Sequence, residues 1–151
     1  MDIRPCDAGS GGIGIGCDIE EVDRFVLDRD ADRSFLSRLF TEAELEYCFS
    51  FPSPAPHLAA RYCAKEAVVK ALSSAGRPPV DYRDIEVGRD PSGLPVVHSA
   101  RSGSSDGLSG CMVRISLSHS RTLAMAVAFI LCPDDAAREK MVNNPGVIPV
   151  R

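Results

Sequence analysis

Tryptophan is absent and aromatic residues make up only 6% of the sequence, so any core must be built from aliphatic and small side chains. Lysine is scarce: Lys65, Lys70 and Lys140 stand alone against arginine in a total of 17 basic residues. Basic excess is missing as well. The 21 acidic residues leave a formal charge of −4, which argues against a nucleic-acid binder with a basic face. No stretch approaches the roughly 20 apolar residues of a membrane helix. The N-terminus has no apolar signal region, so a cytoplasmic address is expected. The six cysteines form no C-x-x-C pair and no zinc-like spacing with histidine. They read as reduced, mostly buried small hydrophobes.

What remains is enough for one globular domain: 151 residues, 44% of them hydrophobic. Residues 1–11 read as a disordered leader, 12–132 as the folded domain and 133–151 as a polar tail with a short helical stub. Ile13, Ile15, Cys17 and Ile19 alternate with Gly14, Gly16 and Asp18, giving a strand with one apolar and one nearly bare face. The period lengthens through Val22, Phe25 and Val26, and again through Phe35, Leu36, Leu39 and Phe40, as in helices. Thr41 and Glu44 spell a capping box. The prolines of 51–56 predict a loop. An alanine-rich helix is expected from His57 to Leu72, stopping at Ser73-Ser74-Ala75-Gly76. A turn at Asp90-Pro91-Ser92-Gly93 separates two short strands, and Ser102 to Gly110 reads as a loop. Cys111 to Leu117 and Leu123 to Leu131 form the clearest hairpin. The order of elements predicts an α+β fold, an antiparallel sheet packed against a long helix.

Four features carry chemistry. Gly9, Gly11 and Gly14 formally spell G-x-G-x-x-G, but a strand follows them where a dinucleotide site needs a helix. Asp18 and Glu20 sit about 7 Å apart on one side of an extended chain, close enough to share a hydrated cation. They also read as ordinary acids at a helix start. Glu66 and Lys70 are spaced i,i+4 and read either as a surface ion pair or, given how rare lysine is here, as part of a phosphate site with Lys65. Ser116-Leu117-Ser118-His119-Ser120 reads as a solvated turn or as a set of donors to phosphate oxygens. A Ser/His hydrolase using Ser118 or Ser120 lacks the strand-turn-helix elbow such nucleophiles occupy.

Taken in order, Gly12-Ile-Gly-Ile-Gly-Cys-Asp18-Ile-Glu20, Arg61-Tyr-Cys-Ala-Lys65-Glu66-Ala67-Val-Val-Lys70-Ala71 and Leu117-Ser-His-Ser120 resemble the 4′-phosphopantetheinyl transferases, in particular the small holo-[acyl-carrier-protein] synthase branch. The likeness runs from Ile13 to Leu131 and takes in Thr41-Glu-Ala-Glu-Leu45 and Asp84-Ile-Glu-Val. It implies a single-lobe transferase moving the phosphopantetheine arm of coenzyme A onto a serine of an apo acyl or peptidyl carrier protein, with release of 3′,5′-ADP. The resemblance implies Mg²⁺ ligands at Asp18 and Glu66, with Glu20 matching a third carboxylate of the two-lobed branch. It implies that Lys70 neutralises the pyrophosphate, that Glu66 or a metal-bound water accepts the serine proton, and that Lys65, Ser118 and His119 lie along coenzyme A. The alternative is a carrier-binding domain of the same fold without turnover, although Asp18, Glu66 and Lys70 are all retained.

The chain departs from the resemblance in two places. Ser73-Ser74-Ala75 stands where these proteins usually have a Gly-rich turn, and Asp23, Asp28, Asp30 and Asp32 interleave with Arg24, Arg29, Arg33 and Arg38 in the segment expected to meet the carrier. With the length of only one lobe, the chain is expected to form homotrimers with active sites between subunits. Residues 117–120 of one copy would then face Asp18 and Glu66 of the next, and the alanines of 124–128 are expected to pack near the shared axis.

Overall fold

The computed structural model describes residues 12–100 and 107–133. The leader, most of the 102–110 loop and the tail beyond residue 133 lie outside them. Strand β1 (Gly12–Glu21) shows the expected alternation, with its bare side turned inward. Gly12, Gly14 and Gly16 are buried while Ile13, Ile15 and Ile19 are exposed. The reason is the long helix behind them. A Cβ on Gly14 would lie 1.9 Å from Ala71 O, and one on Gly16 would lie 2.1 Å from Ala67 O. Only a strand without side chains on that face can approach the helix backbone so closely.

After β1 come a 3₁₀ turn (Val22–Phe25), helix α1 (Arg33–Leu39), helix α2 (Glu42–Phe49) and helix α3 (Ala55–Ser74). The capping box of α2 is complete, with Thr41 Oγ1 accepting from Glu44 N and Glu44 Oε2 accepting from Thr41 N. Helix α3 begins earlier than its prolines predicted, because Pro54 is its N-cap and Pro56 falls in the first turn, where a missing N–H costs no helix bond. It ends in a Schellman motif: Gly76 N donates to Ser73 O and Arg77 N to Leu72 O, with Gly76 at φ 70°. Ser74 Oγ then accepts from Ile15 N at 3.1 Å, tying the helix end to β1.

Strands β2 (Ile85–Arg89) and β3 (Pro95–Ser99) pair antiparallel around the Asp90 turn. Asp90 Oδ1 accepts from Ser92 N and Leu94 N there, and Gly93 takes φ 89°. Strands β4 (Met112–His119) and β5 (Leu123–Cys132) form the expected hairpin, and the larger sheet runs β1-β5-β4, antiparallel throughout. The fold is therefore α+β. The core lies between this sheet and α3, with Ala124, Ala126, Ala128 and Ile130 of β5 fully covered. These alanines serve the helix contact, which overturns the expectation that they pack between copies. The opposite side of the sheet is the one left open, with Ile13, Ile15, Ile19, Met112, Leu123, Met125, Val127 and Phe129 all exposed. No described helix is long and apolar enough to cross a membrane.

The cysteine expectation is overturned at one pair. Met112 pairs with Leu131, so the next residues outward, Cys111 and Cys132, face one another and form a disulfide with Cα atoms 4.1 Å apart. Spacing along the chain hides a pair that strand register creates. Cys48 and Cys63 are buried free thiols, and desolvation pushes their pKa up to about 11 and about 12.

Candidate active site at the α3–β1 junction

Asp18 leaves β1 where the glycine contact with α3 ends, so its carboxylate meets the middle of the helix. Lys70 Nζ, one turn beyond Glu66, donates to Asp18 Oδ1 at 2.8 Å and to Cys17 O at 3.1 Å. The hydrogen bond that Lys70 donates to Asp18 raises the Lys70 pKa, with the charges of Asp18 and Glu66 adding to the effect. Both carboxylates thus act on one ammonium. The remaining oxygen, Asp18 Oδ2, is buried and has no partner. An unpaired buried carboxylate oxygen is costly to desolvate and calls for a cation or a donor.

Glu66 does not form the i,i+4 ion pair with Lys70 that was one of the two readings of this spacing. Its Oε1 instead accepts from two phenols, Tyr62 Oη at 3.0 Å and Tyr82 Oη in a shorter contact. Desolvation, followed by the Glu66 hydrogen bond, pushes Tyr62 up to about 12 and raises Tyr82 as well, so both remain donors at neutral pH. Glu20 is held by Arg24 in an i,i+4 ion pair. Among the described residues no three carboxylate, histidine or cysteine side chains are grouped to hold a metal. Asp18 and Glu66 are the two carboxylates of this junction that could hold Mg²⁺, a hard cation that keeps much of its water and binds through one or two carboxylates plus substrate phosphates.

Lys65 is elsewhere. Its side chain is fully buried, with Nζ 2.7 Å from Glu44 Oε2 and 2.8 Å from Tyr82 O. This overturns its expected contact with coenzyme A phosphates: the residue before Glu66 on a helix points about 100° away, here into the core. Ser118 and His119 are also separated. Alternation along β4 puts Ser118 on the open side of the sheet, opposite Met125, while His119 turns to the α3 side, its ring 5.7 Å from that of His57. Within one chain the two side chains therefore point to opposite faces of the sheet. Ser120 caps its own turn, with Oγ accepting from Leu123 N and Thr122 N.

Around His119 lies a group that the sequence reading did not single out. Phe51 stacks on His57 at 3.9 Å between centroids, Arg61 lies 4.0 Å over the Tyr47 ring, and Arg89 lies 5.7 Å from the same ring. Desolvation, then His119, Arg61 and Arg89, lowers the pKa of His57. The i,i+4 spacing of His57 and Arg61 was the available signal. A separate cavity of about 390 Å³, lined by Thr41, Glu42, Asp81, Arg83, Asp84, Glu86 and Ala100, contains none of the predicted site residues.

The interleaved aspartates have local work to do. Asp28 Oδ1 accepts from Asp30 N and Ala31 N, and Asp32 Oδ2 accepts from Asp28 N, which closes the turn into α1. Arg24 and Arg29 pair with Glu20 and Glu42, whereas Arg33 and Arg38 have no ion-pair partner among the described residues.

Comparison with known proteins gives the family. The 4′-phosphopantetheinyl transferase superfamily profile matches residues 14–128. The chain is 41% identical over 118 residues to a holo-[acyl-carrier-protein] synthase of Koribacter versatilis, covering 76% of this chain and 94% of that protein. It is 43% identical over 114 residues to one from Chlorobium luteolum, covering 74% and 93%. Among solved structures, the Mycobacterium tuberculosis acyl carrier protein synthase superposes with a TM-score of 0.63 at 34% identity, over 81% of this chain and all of that one. The Bacillus anthracis holo-(acyl-carrier-protein) synthase in complex with CoA (3′,5′-ADP) gives 0.62 at 27%, over 81% and 98%. The chain belongs to the 4′-phosphopantetheinyl transferase superfamily.

Proposed function

We propose that this protein transfers 4′-phosphopantetheine from coenzyme A to a serine of an apo acyl carrier protein in a Mg²⁺-dependent reaction that releases 3′,5′-ADP. The observation that carries this reading is the Lys70 ammonium bound to Asp18 Oδ1, one helical turn from Glu66 on α3, with Asp18 Oδ2 buried and unpartnered. Mg²⁺ bound by Asp18 and Glu66 would supply charge to grip the coenzyme A pyrophosphate. Glu20, already paired with Arg24, is not needed as a ligand.

The serine hydroxyl oxygen attacks the phosphorus attached to pantetheine, and the bond from that phosphorus to the oxygen leaving with 3′,5′-ADP breaks. Glu66, or a water held by the cation, would take the serine proton. Lys70 neutralises charge as it builds on the leaving phosphate, an interaction strongest in the transition state. His119, with His57, Arg61 and Arg89 around it, offers a basic, aromatic-walled place for a phosphate of coenzyme A. Arg33 and Arg38 present positive charge to an acidic carrier, beside the exposed Phe35.

Assembly and address are part of the same reading. The open apolar side of the sheet supports a homotrimer with sites between subunits, since a patch of this kind marks an interface. In such a trimer Ser118, on that side, would serve a neighbour. A cytoplasmic address belongs to the same proposal, and the Cys111–Cys132 disulfide is the feature that stands against it.

The test is the intact mass of an apo carrier protein after incubation with this protein, coenzyme A and Mg²⁺. Gain of one phosphopantetheine, abolished by a chelator and restored by Mg²⁺, is expected. No gain across fatty acid, polyketide and peptide carriers would favour a carrier-binding domain without turnover.

A further inference from the structure

The two phenols on Glu66 come from different parts of the chain. Tyr62 lies one turn before Glu66 on α3, while Tyr82 belongs to the 3₁₀ turn Tyr82–Asp84. Both donate to Oε1. Their rings also pack, with centroids 5.8 Å apart, and Phe25 lies 5.3 Å from Tyr62. Tyr82 is itself fixed from behind, because Lys65 Nζ donates to its carbonyl while bound to Glu44 in the core. Neighbouring helix residues therefore hold one tyrosine from two sides, Lys65 at the main chain and Glu66 at the phenol.

A glutamate on a helix surface samples several rotamers. Two hydrogen bonds to one oxygen select one of them and leave the other oxygen directed away from the phenols.

We propose that Tyr62 and Tyr82 are positioning residues that clamp Glu66 through Oε1 and present Oε2 to the divalent cation, with Lys65 serving as the anchor of this clamp. The inference rests on the assignment of Glu66 as a metal ligand. Partners of this kind orient a ligand before the ion arrives, and their loss commonly lowers metal affinity by about 10- to 100-fold.

The experiment is Mn²⁺ binding, followed by the electron paramagnetic resonance signal of the free ion, for wild type, Tyr62→Phe, Tyr82→Phe, the double variant and Glu66→Gln. Phenylalanine keeps each ring and its packing and removes only the hydroxyl. A loss of about tenfold or more in Mn²⁺ affinity in the double variant, with a smaller loss in each single variant and unchanged thermal unfolding, supports the clamp. Should the double variant fail to fold, Tyr62→Phe alone decides, with about threefold weaker Mn²⁺ binding as the supporting result. Unchanged or tighter Mn²⁺ binding in a folded phenylalanine variant, while Glu66→Gln loses it, overturns the clamp and leaves the metal assignment standing. Unchanged binding in Glu66→Gln overturns the metal assignment and the clamp with it.

Discussion

Lys65 Nζ and Glu44 Oε2 lie 2.7 Å apart with both side chains shut off from solvent. Glu44 also accepts from Thr41 N and Val87 N, so this one carboxylate joins the start of α2, the middle of α3 and β2. Burial lowers the Lys65 pKa and the Glu44 charge opposes that shift. Glu44 is thus both the capping residue of α2 and a buried counter-ion.

Lys65→Met should therefore destabilise the fold by about 3 kcal/mol, since it strands a charged group inside while nearly conserving volume. Urea unfolding measures this directly. A variant as stable as wild type with only a raised KM for coenzyme A would return Lys65 to the phosphates.

Lys70→Ala should lower kcat by about 100-fold with a smaller change in KM for coenzyme A, because its charge is needed most as the leaving phosphate forms. Steady-state kinetics at saturating Mg²⁺ separate the two effects. An effect confined to KM would make Lys70 a ground-state contact.

His57 should titrate below its ordinary 6.5, because burial and then the charges of His119, Arg61 and Arg89 oppose its protonation. As pH falls through 6.5 the unfolded chain takes this proton before the folded one does, so folding stability declines on the acid side. The ring-proton NMR titration should show a lowered midpoint that rises in His119→Ala. A midpoint at or above 6.5 would contradict the cluster.

Ile15→Glu should dissociate the proposed homotrimer, because Ile15 is 67% exposed in the single chain and sits on the open side of the sheet beside Phe129. Light scattering would report the change in mass. For sites shared between subunits, reassembled mixtures of Glu66→Gln and His119→Ala should recover activity where each alone is inactive. A wild-type monomer that is fully active, or no recovery in verified mixed trimers, would refute the sharing.

Much of the fold was legible because it depends on local rules. The period of β1, the Thr41–Glu44 box, the stop after Ser74 and the Asp90 turn each use neighbouring residues, and the structure keeps them. The motifs around Asp18, Glu66 and Lys70 were legible as an ordered set. What escaped depends on how distant segments meet. Helical spacing offered Glu66 to Lys70, but β1 delivers Asp18 to that lysine and the 3₁₀ turn delivers Tyr82 to Glu66. The glycines of β1 read as a nearly bare face open to close approach, and α3 is what approaches it. Cys111 and Cys132 stand 21 positions apart and meet only through the β4–β5 register.

A time course that follows holo carrier protein by intact mass and 3′,5′-ADP in the same samples, for wild type and Glu66→Gln with Mg²⁺, tests the transferase site most directly. Wild type should form the two products in equal amounts, while Glu66→Gln remains folded and forms neither at more than about a hundredth of that rate. Transfer at the wild-type rate by Glu66→Gln, or carrier modification without matching 3′,5′-ADP, would contradict the assignment.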